Sequence, residues 1–301
     1  MPLSQKAKVD TSSTPSISSA ALLVQLSIGQ WNTLRKDTRA SRELTKDKNA
    51  SHGSAKVDKD LMTGSRTKQN ITELSTAIRK WHREATMPWS NFGLRLLPNE
   101  TYFDYHQQAT EFQREFRGLV SMFMADYKAD ITRAQIRLGD LFDPMDYPNE
   151  NEVHGKFRLD ISYQPIAEAG DFRVDMGNEA KNALSEQYEK FYSEQLEGAL
   201  ADVWERLSTP LHRMSNMLDY AEHEKPKGFK DTLVSNVETM AGILKTCNIT
   251  NDPAMEEVRQ QLMRALRGVT PDALRESEAL RSTTKDNIDK IIGNIPLGLD
   301  M

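Results

Sequence analysis

Apolar positions along this chain recur mostly at spacings of three and four, which predicts helix for most of its length. The longest run begins near Asn178, where Leu184, Tyr188, Phe191, Leu196, Leu200, Val203 and Leu207 form the coiled-coil-like seam of a long packed helix. Ile71, Leu74, Ile78 and Trp81 make a second stripe in a helical region expected over about 56–85. Another helix is expected from Thr101, burying Phe112, Phe116, Leu119, Val120 and Phe123, with a break somewhere in 127–141. From Gln30 to about Lys46 a further helix is expected, with Trp31, Leu34 and Leu44 as its apolar contacts.

A different period marks "GKFRLDISYQPIAEAGDFRVDM". Phe157, Leu159, Ile161 and Tyr163 alternate with Arg158, Asp160 and Ser162, and Phe172, Val174 and Met176 alternate with Arg173 and Asp175. Both arms carry one apolar and one charged face, the pattern of a β-hairpin over 156–176 lying on a helical layer. An isolated hairpin is marginal, and the alternation of Leu22, Val24, Leu26 and Ile28 offers either a third strand or the first turn of a helix. The fold class that follows is mainly α with a small β-hairpin or three-stranded sheet, its long amphipathic helices in a bundle-like arrangement.

Breaker residues divide the chain. Residues 1–18 read as a disordered tail, 46–56 as a loop, "EHEKPKG" as a turn and 294–301 as a second tail. Thr209-Pro210 should kink or interrupt the long helix, because proline removes a backbone donor and crowds the preceding turn. Asp252 before Pro253 and Thr270 before Pro271 are helix starts, each a cap residue ahead of a proline suited to the first turn. The organisation is therefore a helical region over 19–210 that includes the hairpin, and a C-terminal helical region over 211–293.

Charge is unevenly spread. The 301 residues carry a net −5, yet residues 1–100 hold sixteen Lys and Arg against nine Asp and Glu, net +7, so the remainder carries −12. Arg35, Lys36, Arg39, Arg42, Lys46 and Lys48 are the candidate nucleic-acid contacts in this basic part, although acids interleave with them as on a solvated helix face. No apolar run approaches the ~20 residues of a membrane-spanning helix, and the start lacks a signal-peptide pattern. The single cysteine, Cys247, excludes internal disulfides and fits a reducing cytoplasm.

Catalytic apparatus is not legible. Six histidines are scattered without an H-x-x-x-H pair, and neither a phosphate-binding G-x-x-x-x-G-K-[ST] loop nor a G-x-G-x-x-G turn occurs, so no metal, cofactor or catalytic residue is assigned. The acidic text "DLFDPMDYPNENE" lacks the central glycine and closing spacing of a calcium loop and reads as a solvated, capped turn. Cys247 has no histidine nearby in sequence and reads as a buried structural thiol.

One stretch stands apart. "MPWSNFGLRLLPNETYFDY", residues 87–105, packs two prolines and five aromatics between helical segments. Plugging the open end of a helical layer is its simpler role. The alternative is a partner or ligand surface anchored by Trp89, Phe92, Tyr102, Phe103 and Tyr105, since aromatics concentrate interface energy.

The order of "LLVQLSIGQW", "WHREATMPWSNFGLRLLPNETYFDY" and "GKFRLDISYQPIAEAGDFRVDM" resembles an uncharacterised phage and mobile-element family, domain of unknown function three-one-five-zero, over about 20–210. The resemblance implies a protein encoded near a MoxR-like AAA+ ATPase and a von Willebrand A-type protein, in the bacterial host cytoplasm, with no catalytic residues established for the family. The function expected is a non-enzymatic helical interaction or assembly protein, an oligomer or an adaptor to that ATPase. Nucleic-acid binding through the basic N-terminal part is the alternative.

Overall fold

A computed structural model describes residues 17–90, 92–166, 177–220 and 230–296, with side chains of 177–182 excepted. In chain order the elements are α1 (Ile17–Ala20), β1 (Ala21–Gly29), β2 (Leu34–Asp37), α2 (Thr38–Asp47), β3 (Val57–Asp60), α3 (Arg66–Ala85), β4 (Met87–Pro88) and β5 (Leu94–Pro98). They continue as α4 (Tyr102–Leu138), α5 (Glu150–His154), β6 (Arg158–Gln164), α6 (Gly177–Leu218), α7 (Thr232–Cys247), α8 (Pro253–Ala265), α9 (Pro271–Glu276) and α10 (Glu278–Asn294). The protein is mainly helical with a small β part, as the periodicity implies. The β part comprises a four-stranded sheet in the order β4-β5-β1-β6 and a separate β2-β3 pair.

The chain divides into two compact units, both discontinuous in sequence: a first unit of 1–24, 85–103 and 163–301, and a second of 25–84 and 104–162. In the first, α6 packs on α7 and α10, and α8 packs on α7 and α10. Leu207, Leu211 and Met214 of α6 meet Leu244 of α7, Met255 and Leu262 of α8 and Ile288 of α10 in one aliphatic core. Proline 210 lies inside α6, which runs on through it. The expected interruption is therefore absent, and Leu211 and Met214 just beyond it are fully buried in the helical core. Phe191, expected in the seam, is 46% exposed. The caps at Asp252 and Thr270 form as read, their side chains accepting from the amides of Ala254 and Ala273.

Also in the first unit, the aromatic stretch opens as a β-hairpin. Met87 faces Leu96 and Pro88 faces Arg95 in an antiparallel pair. Arg95 donates to the Thr86 hydroxyl at 2.6 Å and to its carbonyl at 2.9 Å, and Arg206 of α6 donates to the same carbonyl at 2.9 Å. These bonds fasten the hairpin to the long helix.

The second unit is built around aromatic rings. Phe123 is fully buried, with ring centroids 6.4 Å from Trp31, 5.9 Å from Tyr127 and 5.6 Å from Phe157. Ile71, Leu74 and Ile78 of α3 close this core, as their stripe implies. Strand β6 alternates as expected, with Leu159 and Ile161 half-buried and Arg158 and Asp160 exposed. The 22–28 segment is a strand, and β1 neighbours β6 in the sheet. The second arm of the expected hairpin, with Phe172, Val174 and Met176, lies outside the described residues, as do "EHEKPKG" and residues 1–16.

Three helix assignments need correction. The expected 30–46 helix is strand β2 followed by the shorter α2, which Asp37 caps by accepting from the Ala40 amide at 2.8 Å. Of its expected contacts Trp31 is buried, whereas Leu34 is 59% and Leu44 37% exposed. The expected 56–85 helix begins only at Arg66, because Val57–Asp60 forms β3, pairing antiparallel with β2 from Leu34↔Asp60 to Asp37↔Val57. Helix α4 runs unbroken to Leu138, with Tyr127 and Ala134 inside it as buried contacts that keep one face on the core.

Candidate nucleic-acid interface

A pocket of about 530 Å³ opens on the second unit, lined by the end of β1, the start of β2, the turn at 146–148 and the segment leading into β6. Its walls are held by polar groups from distant parts of the sequence. Tyr127 donates its hydroxyl to the Pro148 carbonyl at 2.8 Å, and Tyr147 donates to the Leu61 carbonyl at 3.1 Å. Burial pushes the pKa of both phenols up to about 12, so at neutral pH they remain donors.

Lys59 of β3 is the other anchor. Only 6% exposed, it places its ammonium 2.8 Å from Asp146, 3.3 Å from Asp37 and 2.6 Å from the Leu141 carbonyl. Burial opposes the charge, but the hydrogen bonds to Asp146 and Asp37 outweigh it and the net pKa is raised. Asp37 is held below its ordinary value first by the Ala40 amide it caps, against burial and with help from Lys59. One lysine thus ties the start of α2 to the 141–146 turn that forms a pocket wall.

Cations from two segments reach this pocket. Arg35 of β2 pairs with Asp146 at 3.3 Å, while Lys156 and Arg158, both exposed, form no ion pair among the described residues. Arg158 crosses β1 where Gly29 leaves room: a Cβ there would lie 2.8 Å from Arg158 Cγ. Asp146 is the one carboxylate in the lining, and two cations already engage it.

The six basic residues singled out in the sequence are all exposed. Arg35 lines the pocket and Lys36 follows it on β2. Arg39, Arg42 and Lys46 fall at helical spacing on one face of α2, where Arg39 pairs with Glu43 at 3.0 Å, and Lys48 sits at that helix's C-cap. Lys156 and Arg158 were not singled out, since their alternation reads as the solvated side of a strand.

The five aromatic candidates are not brought together as exposed anchors. Trp89 is 6% exposed and packs against Tyr192 in the first unit, and Tyr105 is 3% exposed in the second. Tyr105 stacks on Trp81 with centroids 4.4 Å apart and shares a 2.7 Å hydrogen bond with His82 Nδ1. Half-buried Tyr102 contacts Tyr163 and Phe103 edge-on. Phe92 and Phe103 alone present large exposed faces, at 89% and 79%.

Burial of Cys247 pushes its thiol pKa up, which disfavours the nucleophilic thiolate. Among the described residues no three His, Cys, Asp or Glu side chains group as metal ligands, and no helix is long and apolar enough to cross a membrane. Comparison with family models, curated proteins and solved structures finds no match.

Proposed function

We propose that this chain is a non-enzymatic binding protein that engages nucleic acid through the basic face of its second unit. The observation that carries the reading is the convergence of Arg35, Lys156 and Arg158 on one pocket whose sole lining carboxylate is already engaged. Phosphate contacts from such cations release counterions, so binding must weaken steeply with salt. Charge segregation supports it too: residues 25–84 hold thirteen Lys and Arg against seven Asp and Glu, although the unit as a whole is close to neutral. Fluorescence anisotropy of the full chain with labelled DNA at low ionic strength tests the proposal. No shift at any protein concentration would exclude it.

The exposure of Phe92 and Phe103 favours a second reading, an assembly protein whose first unit docks another protein. Under it the resemblance to the phage and mobile-element family supplies the setting: host cytoplasm, self-association, or an adaptor role beside a MoxR-like AAA+ ATPase. A strictly monomeric protein by light scattering that also fails to bind that ATPase would remove it.

A further inference from the structure

We infer that the pocket takes one nucleotide of a single-stranded nucleic acid, which deepens the nucleic-acid reading above and rests on it. The argument begins with hydrogen-bond inventory. The Asn32 side-chain carbonyl accepts from the Leu34 amide at 3.1 Å, and the Gln30 carbonyl faces Lys68 Nζ and Thr72 Oγ1, each at 3.4 Å. Both amide oxygens are thus engaged by the protein's own donors, both residues line the pocket, and neither NH2 group has a hydrogen-bond acceptor among the described residues. Together with Arg35, Lys156 and Arg158 they give the lining more donor side chains than its single carboxylate can engage, the complement of an anionic, acceptor-rich group such as a phosphodiester.

Size and shape select the strand. About 530 Å³ lies within the range of small-ligand pockets and suits a single nucleotide. A duplex could touch only the rim, because its bases are paired inside and its phosphates lie along a convex surface. A single strand can turn one unit inward and leave its neighbours on the flanking cations. Leu34, 59% exposed at the pocket, and Pro148 in the opposite turn supply apolar surface for a base, while Gly29 and Gly155 add no side chain to the lining. The wall is also set before any ligand arrives, since Lys59, Tyr127 and Tyr147 already fasten the turn that carries Asp146 and Pro148.

The test uses the full chain, a fluorescein-labelled oligothymidine, the same length of duplex DNA, and thymidine monophosphate as competitor. The single strand should bind more tightly than the duplex. Replacing both Lys156→Gln and Arg158→Gln should weaken it by about tenfold or more and flatten its log-log salt slope by about 1.4, at ~0.7 per lost contact. Gly29→Ala keeps every charge yet pushes Arg158 aside, so it should also weaken the single strand; Arg158→Lys should restore the slope but not the full affinity. Circular dichroism confirms that each variant is folded, and the two exposed positions give a result even if Gly29→Ala does not fold. Equal binding of both forms, unchanged by the double variant but lost with Arg42→Gln and Lys46→Gln, would overturn the pocket while leaving the nucleic-acid reading intact. Thymidine monophosphate competing as well as the oligomer would replace the strand by a free nucleotide and overturn it as well. Failure of every nucleic acid to bind at low salt would sink both.

Discussion

In the first unit the least exposed large side chains are mostly aliphatic, contributed by α6, α7, α8 and α10: Leu207, Leu211, Leu244 and Leu262 with Met214 and Met255. The second unit buries rings around Phe123, and beside them Lys59, Asp130, Ser65 and His82. Each unit buries a cation, and the contrast between them is instructive. Arg281 in the first donates to the Leu274 and Arg275 carbonyls at 3.0 and 3.1 Å and lies 4.3 Å from the Tyr220 ring centroid. Lys59 in the second is held by two carboxylates. Backbone carbonyls keep their character at any pH; carboxylates do not. Among the described residues the buried cation of the first unit is therefore held without a carboxylate, that of the second depends on two, and the second network is the one that shapes the pocket.

The largest effect should come from the ring cluster. Phe123→Ala removes a fully buried ring from between three others and should cost about 4 kcal/mol in urea denaturation. Leu262→Ala in the first unit should cost about 3 kcal/mol by the same cavity argument. Two tryptophans in each unit, Trp31 and Trp81 against Trp89 and Trp204, let fluorescence of Trp-to-Phe variants report which unit each change loosens. Equal loosening of both by Phe123→Ala would erase the distinction drawn above.

Next in size is the lysine. Lys59→Met strips the shared cation from Asp37 and Asp146, leaving Asp146 only its pairing with exposed Arg35, and should cost about 3 kcal/mol, with that pairing and the carboxylates' partial exposure limiting the loss. Adding Asp37→Asn and Asp146→Asn should recover part of it, because the repulsion goes with the charges. It should also weaken oligonucleotide binding if the pocket wall is what the lysine holds. No additional loss from Lys59→Met compared with the triple variant would mean that the network contributes little.

A smaller effect is expected from pH, and its sign differs at the two ends. Asp37 is lowered in the folded state, so the stability it adds is present above its ordinary 3.8 and lost as pH falls through the folded value. Lys59 is raised, so its share is present below 10.5 and lost as pH rises past it. Tyr127 and Tyr147, raised from 10.0 to about 12, lose their share across that interval. Tyr163 in the first unit is raised to about 12 as well, chiefly by burial. Glu256 and Asp289 in the first unit are lowered too, Glu256 to about 2 chiefly through its hydrogen bonds with Arg259. Urea midpoints followed by Trp31 and by Trp204 should therefore both fall at both extremes. Lys59→Met should flatten part of the alkaline fall.

What the sequence made legible follows from where the information resides. The stripe on α3, the alternation of β6 and the caps at Asp252 and Thr270 are local, and each appears where periodicity or cap chemistry puts it. Strands β2 and β3 are not local objects. "LRKD" and "VDKD" have almost no apolar period, and they are strands because they pair with each other and because Lys59 finds its two carboxylates, one of them in a turn more than eighty residues away. The pocket escapes for the same reason, being assembled from 29–35, 61, 146–148 and 155–158. The basic residues could be named, but not which of them share a hollow. Trp89 and Tyr105 fit an interface by composition, and burial inside separate units withdraws them from it.

The smallest predicted effect isolates the contrast between the units in a single residue type. Asp37 and Asp252 are both N-caps, accepting from the amides of Ala40 and Ala254 at 2.8 and 2.9 Å. Asp252 does little more than cap: its backbone carbonyl accepts from Asn248, but its carboxylate serves α8 alone among the described residues. Asp252→Ala should therefore cost about 1 kcal/mol, the ordinary worth of a cap, with unchanged pH dependence in the second unit. Asp37→Ala removes the same kind of cap and one of the two carboxylates that keep Lys59 charged, so it should cost more than Asp252→Ala by about 1 kcal/mol. Asn is a good cap without charge, which makes the decisive pair Asp37→Asn and Asp252→Asn. The second should be close to neutral and the first should retain a deficit, and a matching small loss at both sites would reduce Asp37 to a cap and leave Asp146 as the only carboxylate that matters to Lys59.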